Sequence, residues 1–516
     1  MKKGNKLTNK FKLPFFFLLI IFLYSFPTFY PYFKTPPNKV YLGQVSWFDP
    51  WDINVYVAAI RWSQENGFYF QNAYTTQPHK SVVFYPFYTL LGNIFPKLEP
   101  FLIFNLATTF AGFFLLFIIY KSSRVFLKNK KSALATTFLV CLAGGLGWIF
   151  FSKVTVPDLY MTPFTFTSTF QRAHEAIAIS FYLSSLVLFF LAIKDNSIKL
   201  TIASGISSIL FTFFYPFYLL SLYLICAFYS LYSFSKSKKR SIFIHILLLI
   251  FSTLPFGILY SLYLRSGSEF NNVLTPNLNT PNPVLLVLGY GILSPLLLLQ
   301  FFLKKSWNKS KVFLNIWFFV SVFLSYLPFG FGRYYLRALF FPAVLICFNN
   351  LADISSRLRV KEIYVKRALF LILPISNILI ILTRLTIATG LYTPSEWSFI
   401  NEKEYQIFTF LRTNTPKGSG LITDDYLFGN LLPAHTNNSV YFGHNYQTPN
   451  ASEKKKNIEK LYKGSFTENK AKEFLKQNYI SYVLVTNKGI DFPKYLFLNR
   501  IFKNESGSIY TYQTNY

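Results

Sequence analysis

The chain has 516 residues, of which 52% are hydrophobic, 20% aromatic and only 14% charged. This composition is typical of proteins that cross a membrane many times and excludes an ordinary soluble globular protein. The formal net charge is +30, from 51 basic and 21 acidic residues. About half of the Lys and Arg fall in short connections between apolar runs, where they orient a membrane protein, so we predict no nucleic-acid binding. All three cysteines lie in apolar runs, which excludes a disulfide framework and a thiolate metal site.

Apolar runs of roughly 20 residues alternate with short polar breaks up to about residue 388, and each run is long enough to cross a hydrocarbon core of ~30 Å. They predict about eleven transmembrane helices, near 14–33, 100–120, 132–151, 174–193, 198–214, 216–233, 241–264, 283–303, 312–330, 338–354 and 368–388. Lys and Arg cluster in alternate connections, which places those connections and the N-terminus in the cytoplasm. The first run lacks a small-residue cleavage site, so we interpret it as an uncleaved span.

The C-terminal segment differs in pattern from everything before it. It contains short apolar runs typical of strands and polar amphipathic stretches typical of helices. The strands are predicted near 419–422, 439–442 and 480–486, and the helices near 454–462 and 469–477. We therefore predict an α-helical polytopic membrane domain at 1–388, with a large first outer loop at 34–99, followed by a small extracytoplasmic α/β domain at 389–516.

The first outer loop carries two carboxylates, Asp49 and Asp52, at the start of a predicted helix that ends at Asn66. Acidic residues complement the dipole at a helix start, so both could simply cap the helix. Acids are scarce near the membrane, however, and aromatic neighbours would desolvate a carboxylate and improve it as a general base. We predict that Asp52 or Asp49 is catalytic.

Six further residues are candidates for substrate binding: Tyr56, His79, Arg172, His174, Arg333 and Arg337. Tyr56 lies four positions after Asp52, on the same helix face. His79 lies in a polar loop, where the alternative is a surface residue that forms hydrogen bonds. A guanidinium pairs bidentately with phosphate, so the outer-loop arginines predict a site for a lipid-linked phosphate. Their alternative role is to anchor the chain to lipid headgroups. Arg333 and Arg337 are predicted to share one side of a helix start.

Two other functions fit a membrane protein of this kind. A transporter or flippase of lipid-linked sugars would need ionisable or helix-breaking residues near the middle of the membrane, and the spans contain few. A non-enzymatic envelope assembly protein would use its C-terminal domain to bind partners. The concentration of polar residues on the predicted outer face favours an enzyme over both.

The layout and several short stretches resemble the GT-C superfamily of polytopic glycosyltransferases, in particular a bacterial branch of it. The resembling stretches are Asp52-Ile-Asn54-Val-Tyr56, Gly67–Phe70, Asn72–His79, the loop end at His174, the turn at Arg333, Gly429–His435 and Val440–His444. Many GT-C enzymes have adjacent acids or an Asp-x-Asp pair, whereas the spacing here is Asp-x-x-Asp. That departure leaves the choice between Asp49 and Asp52 open.

The resemblance implies a transferase whose donor is a hexose or pentose linked to polyprenyl phosphate. Asp52, or Asp49, would deprotonate an acceptor hydroxyl for in-line attack on the anomeric carbon, which inverts its configuration. The arginines would stabilise the departing lipid phosphate. The acceptor would be a glycan, a lipid or a protein, and membrane lipids would be further partners.

The scheme requires no cofactor. His79 and His174 together with the two Asp residues leave a divalent metal open, although the chemistry does not require one. The expected location is the bacterial plasma (inner) membrane, with several passes, a cytoplasmic N-terminus and an extracytoplasmic C-terminal domain.

Overall fold

A computed structural model describes residues 4–127, 129–265, 278–302, 307–391, 395–487 and 492–512, with side chains from residue 13 onward. The chain separates into two compact units. The helical unit comprises Met1–Phe26, Ala107–Leu262 and Asn277–Arg384, and the mixed unit comprises Pro27–Leu106, Tyr263–Pro276 and Leu385–Tyr516.

Helices, most of them apolar, form the membrane part of the chain. They are Gly4–Phe33, Pro100–Phe126, Lys130–Leu142, Ala173–Asp195, Ile198–Thr212, Tyr218–Ser237, Ser241–Arg265, Pro283–Tyr290, Leu293–Leu299, Lys309–Ser325, Phe340–Asn349, Leu351–Arg357, Glu362–Ile372 and Ile375–Thr389. Short helical turns between them are Gly147–Phe150, Pro157–Tyr160, Phe166–Thr169, Gln300–Phe302 and Gly332–Leu336.

The predicted class, a multi-pass α-helical membrane protein, is confirmed. Within the described residues, 7 helices are long and apolar enough to cross a membrane, or up to 9 if each of two bent helix pairs is one span. Helices also stand at the two other predicted positions, but Ile198–Thr212 has 15 residues and Lys309–Ser325 has 17. The number eleven therefore stays a prediction.

Buried hydroxyl groups join the helices of the helical unit. The hydroxyl of Ser185 lies 2.7 Å from that of Ser208 and 3.1 Å from that of Ser204, which links the neighbouring helices Ala173–Asp195 and Ile198–Thr212. The Tyr24 hydroxyl donates to the Cys141 carbonyl at 2.7 Å. Such contacts matter in a membrane, since lipid offers no hydrogen-bond partner to a buried polar group.

The mixed unit contains a five-stranded sheet. Its strands are β3 (Gly420–Thr423), β4 (Ser439–Val440), β5 (Ile480–Thr486), β6 (Asn499–Asn504) and β7 (Gly507–Thr511), in the order β4-β3-β5-β7-β6. The first three are mutually parallel, and β5-β7 and β7-β6 are antiparallel. The three strands predicted in this segment are confirmed, and so is a small C-terminal region built on a mixed β-sheet.

Helices of the mixed unit pack around this sheet. They are Pro50–Asn66, Pro86–Ile94, Glu402–Asn414, Tyr426–His435, Ala451–Tyr462 and Glu468–Gln477. The predicted first outer loop is built into the same unit, because its strand β1 (Lys39–Tyr41) pairs antiparallel with β2 (Phe399–Asn401). One buried cluster includes Val55 and Tyr74 from the loop and Leu421 and Leu484 from the sheet. The domain boundary at residue 388 stays a prediction.

Candidate active site

The helix Pro50–Asn66 positions the two candidate acids. Pro50 at the first helical position fixes the backbone for a helix start, and Gly67 ends the helix at a φ of 83°. Asp52 lies in the first turn, and its side chain is 28% exposed. Its Oδ1 lies 3.0 Å from Nε2 of His444, whose side chain is only 2% exposed. Asp52 thus contacts a histidine 392 positions away in the chain, a role beyond that of a helix cap.

The backbone around His444 determines which ring nitrogen carries the proton. Nδ1 accepts hydrogen bonds from the backbone N–H groups of Tyr446 at 3.1 Å and Gln447 at 3.2 Å. A nitrogen that accepts has no proton of its own, so Nε2 is the protonated atom of the neutral ring. His444 therefore donates to Asp52, and the carboxylate remains the acceptor of the pair.

Close backbone packing holds the His444 segment in place. A Cβ on Gly443 would lie 2.1 Å from the Gly429 carbonyl oxygen, so only glycine fits there. Asn430 donates to the Gly443 carbonyl at 3.0 Å and accepts from Asn54 at 2.7 Å. Asn54 belongs to the same helix as Asp52, so this buried amide chain fixes the carboxylate and the histidine relative to each other.

Asp49 precedes the helix and has an unusual backbone. Its φ of 39° and ψ of 61° are in the left-handed region, and its side chain forms no capping hydrogen bond. That conformation is uncommon for a residue with a side chain. The capping alternative is therefore wrong for the Asp49 side chain.

Two other candidates of the first loop have structural contacts. The Tyr56 ring is 9% exposed and stacks on Tyr88 with ring centroids 5.0 Å apart. His79 accepts from the Asn72 backbone N–H at 2.8 Å, and its Nδ1 lies 2.8 Å from the Gln77 carbonyl oxygen. Both ring nitrogens of His79 therefore close its own loop. Substrate roles for Tyr56 and His79 stay predictions.

The helical unit brings two of the predicted arginines together through a glutamate. Oε1 of Glu175 lies 3.3 Å from Nη1 of Arg172 and 3.1 Å from Nη2 of Arg337. All three side chains are at least 96% buried. The Arg337 guanidinium also lies over the Tyr215 ring, 4.5 Å from its centroid, which stabilises the cation. Sequence reasoning did not single out Glu175 or Tyr215.

This cluster contains two guanidinium groups and one carboxylate, so it has one surplus positive charge. Nε and Nη1 of Arg337 have no hydrogen-bond partner among the described residues. Burying a cation is costly unless it is paired and hydrogen-bonded. The arrangement is suited to an anion, and it is too deeply buried for headgroup anchoring by Arg337.

The other two candidates of the helical unit lie beside this cluster. The buried His174 ring has its centroid 6.1 Å from that of Tyr215. Arg333 is half-buried, and its guanidinium is 5.9 Å from the Tyr334 ring centroid. Arg333 lies in the short 3₁₀ helix Gly332–Leu336 and Arg337 directly follows it, ahead of the α-helix that begins at Phe340. That the two share one side of a helix start stays a prediction.

Sequence reasoning also missed Asp158, a buried acid in the second predicted outer loop. Its Oδ2 accepts from the backbone N–H groups of Gly145 at 2.7 Å and Gly147 at 3.3 Å. Burial raises the pKa of this carboxyl to about 6, although these hydrogen bonds lower it. A Cβ on Gly147 would lie 2.3 Å from Oδ1 of Asp158. The acid therefore organises the turn after the helix Lys130–Leu142.

No group of three or more His, Cys, Asp or Glu side chains in the described part of the chain is arranged to hold a metal ion. His79, His174 and the two Asp residues thus do not form such a group.

Comparison with known proteins identifies the fold. Protein-family models give no match, and neither does a sequence comparison with curated proteins. Among solved structures, the chain is similar to the Archaeoglobus fulgidus oligosaccharyltransferase in its apo form, with a TM-score of 0.56, 13% identity and coverage of 91% of this chain and 69% of that one. It is also similar to ArnT from Cupriavidus metallidurans bound to undecaprenyl phosphate, with a TM-score of 0.53, 11% identity and coverage of 96% and 97%.

The chain has the GT-C glycosyltransferase fold. The fold expected from the short motifs and the layout is therefore confirmed. A further structure of the archaeal enzyme AglB, in complex with an inhibitory peptide and a dolichol-phosphate, matches with a TM-score of 0.52 and 14% identity, covering 91% of this chain and 69% of that one. At such identities the similarity concerns the fold.

Proposed function

We propose that the protein is a membrane glycosyltransferase that moves a sugar from a polyprenyl-phosphate-linked donor to an acceptor hydroxyl, with inversion. The observation that carries the proposal is the contact between the partly exposed Asp52 carboxylate and the Nε2–H of buried His444. The GT-C fold supports the reaction class. Similar structures hold undecaprenyl phosphate or a dolichol-phosphate, which supports a lipid phosphate as the carrier of the donor sugar.

In this scheme Asp52, and not Asp49, is the proposed general base. His444 cannot accept a proton at Nδ1 without losing two backbone hydrogen bonds. It therefore stays a donor, and the Asp52 carboxylate takes the proton of the acceptor hydroxyl as its oxygen attacks the anomeric carbon. The bond between that carbon and the donor phosphate breaks on the opposite side, so the configuration inverts.

The leaving group in this scheme is a lipid phosphate, whose negative charge grows as the glycosidic bond breaks. Arg172 and Arg337 are its proposed binding residues, with His174 and Arg333 beside them. Buried guanidinium groups stabilise such charge more strongly than exposed ones. Glu175 holds both guanidinium groups in position without cancelling their combined charge.

Replacement of the acids tests the base. Asp52→Asn should lower product formation by at least ~100-fold, because an amide cannot take the proton. Asp49→Asn should have a smaller effect, and Asp195→Asn, a change of an exposed acid in the helical unit, should have none. Membranes of a strain that expresses each variant are given undecaprenyl-phosphate-linked sugars, and products are read by mass spectrometry at matched expression. Full activity in Asp52→Asn would contradict the mechanism.

A conservative change tests the arginine cluster separately. Arg337→Lys keeps the charge beside Glu175 but cannot pair with phosphate bidentately. We expect the KM for the lipid-linked donor to rise by about tenfold, which corresponds to ~1.4 kcal/mol, with little change in the acceptor KM. Arg357→Lys alters an exposed arginine and serves as the control. An unchanged donor KM in Arg337→Lys would remove Arg337 from the donor site.

A further inference from the structure

The mixed unit contains a cavity of ≈ 530 Å³, within the size range of small-ligand sites, ~300–1,000 Å³. One face of the helix Pro50–Asn66 lines it, together with the loop around Asn72 and the chain ends beside β3, β4 and β5. Successive helical residues are rotated by ~100°, so Arg61 and Glu65 lie roughly 140–180° around the helix from Asp52 and Tyr56. Neither Asp52 nor His444 lines the cavity. The cavity is thus distinct from the Asp52 site.

The lining of the cavity is polar and contains few charged side chains. Six amide side chains line it, Asn66, Gln71, Asn72, Gln77, Asn437 and Asn438, and Ser and Thr hydroxyls contribute as many again. The charges of Glu65 and Lys417 compensate each other, with Nζ and Oε1 3.0 Å apart. Arg61 uses its Nε to donate to the Ala434 carbonyl at 2.7 Å. The lining therefore has one net positive charge, from Arg61, and its many amides and hydroxyls suit a polyhydroxylated ligand better than an acyl chain.

Tyr479 is an aromatic residue of the cavity with a strained backbone conformation. It directly follows the C-cap Asn478 of the helix Glu468–Gln477, and its φ is 54°. Glycine normally occupies this left-handed position after a helix, because a side chain is strained there. Tyr479 nevertheless lines the cavity and is 58% exposed. Strain of this kind clusters at sites of function.

A buried acceptor atom provides a second indication. Asn438 is 3% exposed, and its Nδ2 donates to Ser419 Oγ at 2.8 Å and to Thr415 Oγ1 at 2.9 Å. Its Oδ1 has no hydrogen-bond partner within the part of the chain that the structure describes. Buried amide oxygens are normally paired, so this unpaired acceptor of a cavity-lining residue is unusual.

We propose that this cavity binds neutral carbohydrate, with Tyr479 and Trp62 as aromatic surfaces for sugar rings and the surrounding amides as hydrogen-bond partners. A sugar presents both C–H faces and hydroxyl groups, and the lining matches each with aromatic rings and polar side chains respectively. The cavity would hold part of a glycan away from the reacting hydroxyl. This binding does not depend on transferase activity, so it can be tested apart from the proposed function.

The test uses the purified full chain in detergent and four neutral probes: maltotetraose, cellotetraose, mannotetraose and the tetramer of N-acetylglucosamine. Binding is measured by saturation-transfer NMR and calorimetry. Tyr479→Gly removes the ring while relieving the backbone strain, so its melting temperature should not fall. Asn450→Gly makes the same kind of change at another exposed residue of positive φ, 53°, away from the cavity. Asp52→Asn serves as the active-site control.

We expect at least one tetrasaccharide to bind the unaltered chain and its affinity to fall tenfold or more in Tyr479→Gly. Asn450→Gly and Asp52→Asn should bind like the unaltered chain, even if Asp52→Asn is inactive as a transferase. Failure of all four probes to bind the unaltered chain would overturn the proposal. Unchanged affinity in Tyr479→Gly would also overturn it. So would a competition experiment in which a neutral Asn-Ser-Thr peptide displaces the bound tetrasaccharide and the other three tetrasaccharides do not.

Discussion

At the scale of single residues, Lys454 shows how the first outer loop is joined to the C-terminal segment of the mixed unit. Its Nζ donates to Thr75 Oγ1 at 3.1 Å and lies 4.9 Å from the ring centroid of Tyr441. The residue is only 4% exposed. Burial lowers its pKa to about 8, and the charge of Glu453 opposes that shift only in part. The ammonium is therefore held in the folded chain against a desolvation cost.

The lowered pKa of Lys454 predicts that the stability of the chain depends on pH. Because the folded-state pKa lies below the unfolded value of 10.5, the unfolded chain binds more protons between about pH 8 and 10.5. The free energy of unfolding should therefore rise with pH through this window, by up to about 3 kcal/mol. Lys454→Met should raise the melting temperature at pH 7 and should weaken the increase of stability with pH. Thermal unfolding from pH 7 to 10.5 checks this, with exposed Lys463→Met as the control; an identical profile in Lys454→Met would contradict it.

His444 and His435 make a matched pair of buried histidines. His444 contacts Asp52, whereas the His435 ring stacks between Phe101 and Phe408, at 4.8 and 5.5 Å. Burial, aided by Arg61, lowers the pKa of His435 to about 3, so this ring stays neutral and packs as an aromatic side chain.

The two histidines should therefore respond differently to substitution. His444→Gln loses the fixed ring that orients Asp52, so kcat should fall by about 100-fold, with little change in KM for the donor. His435→Gln should lower the melting temperature and leave kcat of the folded fraction nearly unchanged. Steady-state kinetics and thermal unfolding of both variants separate the effects. If His444→Gln kept the original kcat, His444 would not be a positioning residue.

At the scale of elements, the contact between the helix Tyr426–His435 and the segment after β4 depends on two glycines. Gly443→Ala would place a methyl group 2.1 Å from the Gly429 carbonyl oxygen. We expect a loss of about 1–3 kcal/mol in the free energy of unfolding and a lower kcat, since His444 follows directly.

Gly67→Ala offers a contrast, because a Cβ there meets nothing within 4 Å and only the φ of 83° opposes it. It should destabilise the chain without lowering kcat. Denaturant unfolding and kinetics on both variants test the difference. Equal effects on kcat would show that the glycine contact does not position His444.

The sequence could predict those elements whose signals are local. Pro50 and Gly67 delimit one helix, and the apolar run of β5 marks a buried strand. The hairpin of β6 and β7 was missed, because most of β6 is exposed and lacks an alternating apolar pattern. The site was predicted only in part for a related reason: the Asp52–His444 and Glu175–Arg337 contacts join residues far apart in the chain, and no spacing rule reveals them.

At the scale of the whole molecule, the main prediction concerns how many helices cross the membrane. The helix Ile198–Thr212 would be only ~22 Å long, shorter than a hydrocarbon core of ~30 Å. Yet Ile202 and Ile206 are more than half exposed, at 51% and 56%, on one side of this helix. The two-residue turn at Asn196 and Ser197 also sends it back along the helix Ala173–Asp195. An apolar exposed face and an antiparallel neighbour both favour a short crossing that faces lipid.

Both counts, nine and eleven, place the C-terminus on the side opposite the N-terminus, because both are odd. They differ in the side of the membrane on which they place the connections between Thr212 and Lys309. With eleven crossings the basic stretch 236–240 is cytoplasmic, as its four Lys and Arg residues require by the positive-inside rule. With nine, in which neither Ile198–Thr212 nor Lys309–Ser325 crosses, that stretch lies outside.

Reporter fusions separate these arrangements. We expect a green fluorescent protein fused after Lys238 to be fluorescent and an alkaline phosphatase fused there to be inactive, since the junction is cytoplasmic with eleven crossings. Fusion after Tyr516 should give the reverse pattern. An active phosphatase after Lys238 would favour nine crossings, which also place the C-terminus on the outer side. An active phosphatase at the N-terminus, or fluorescence at the C-terminus, would reverse the orientation and place Asp52 on the cytoplasmic side, where the proposed outer-face transfer could not occur.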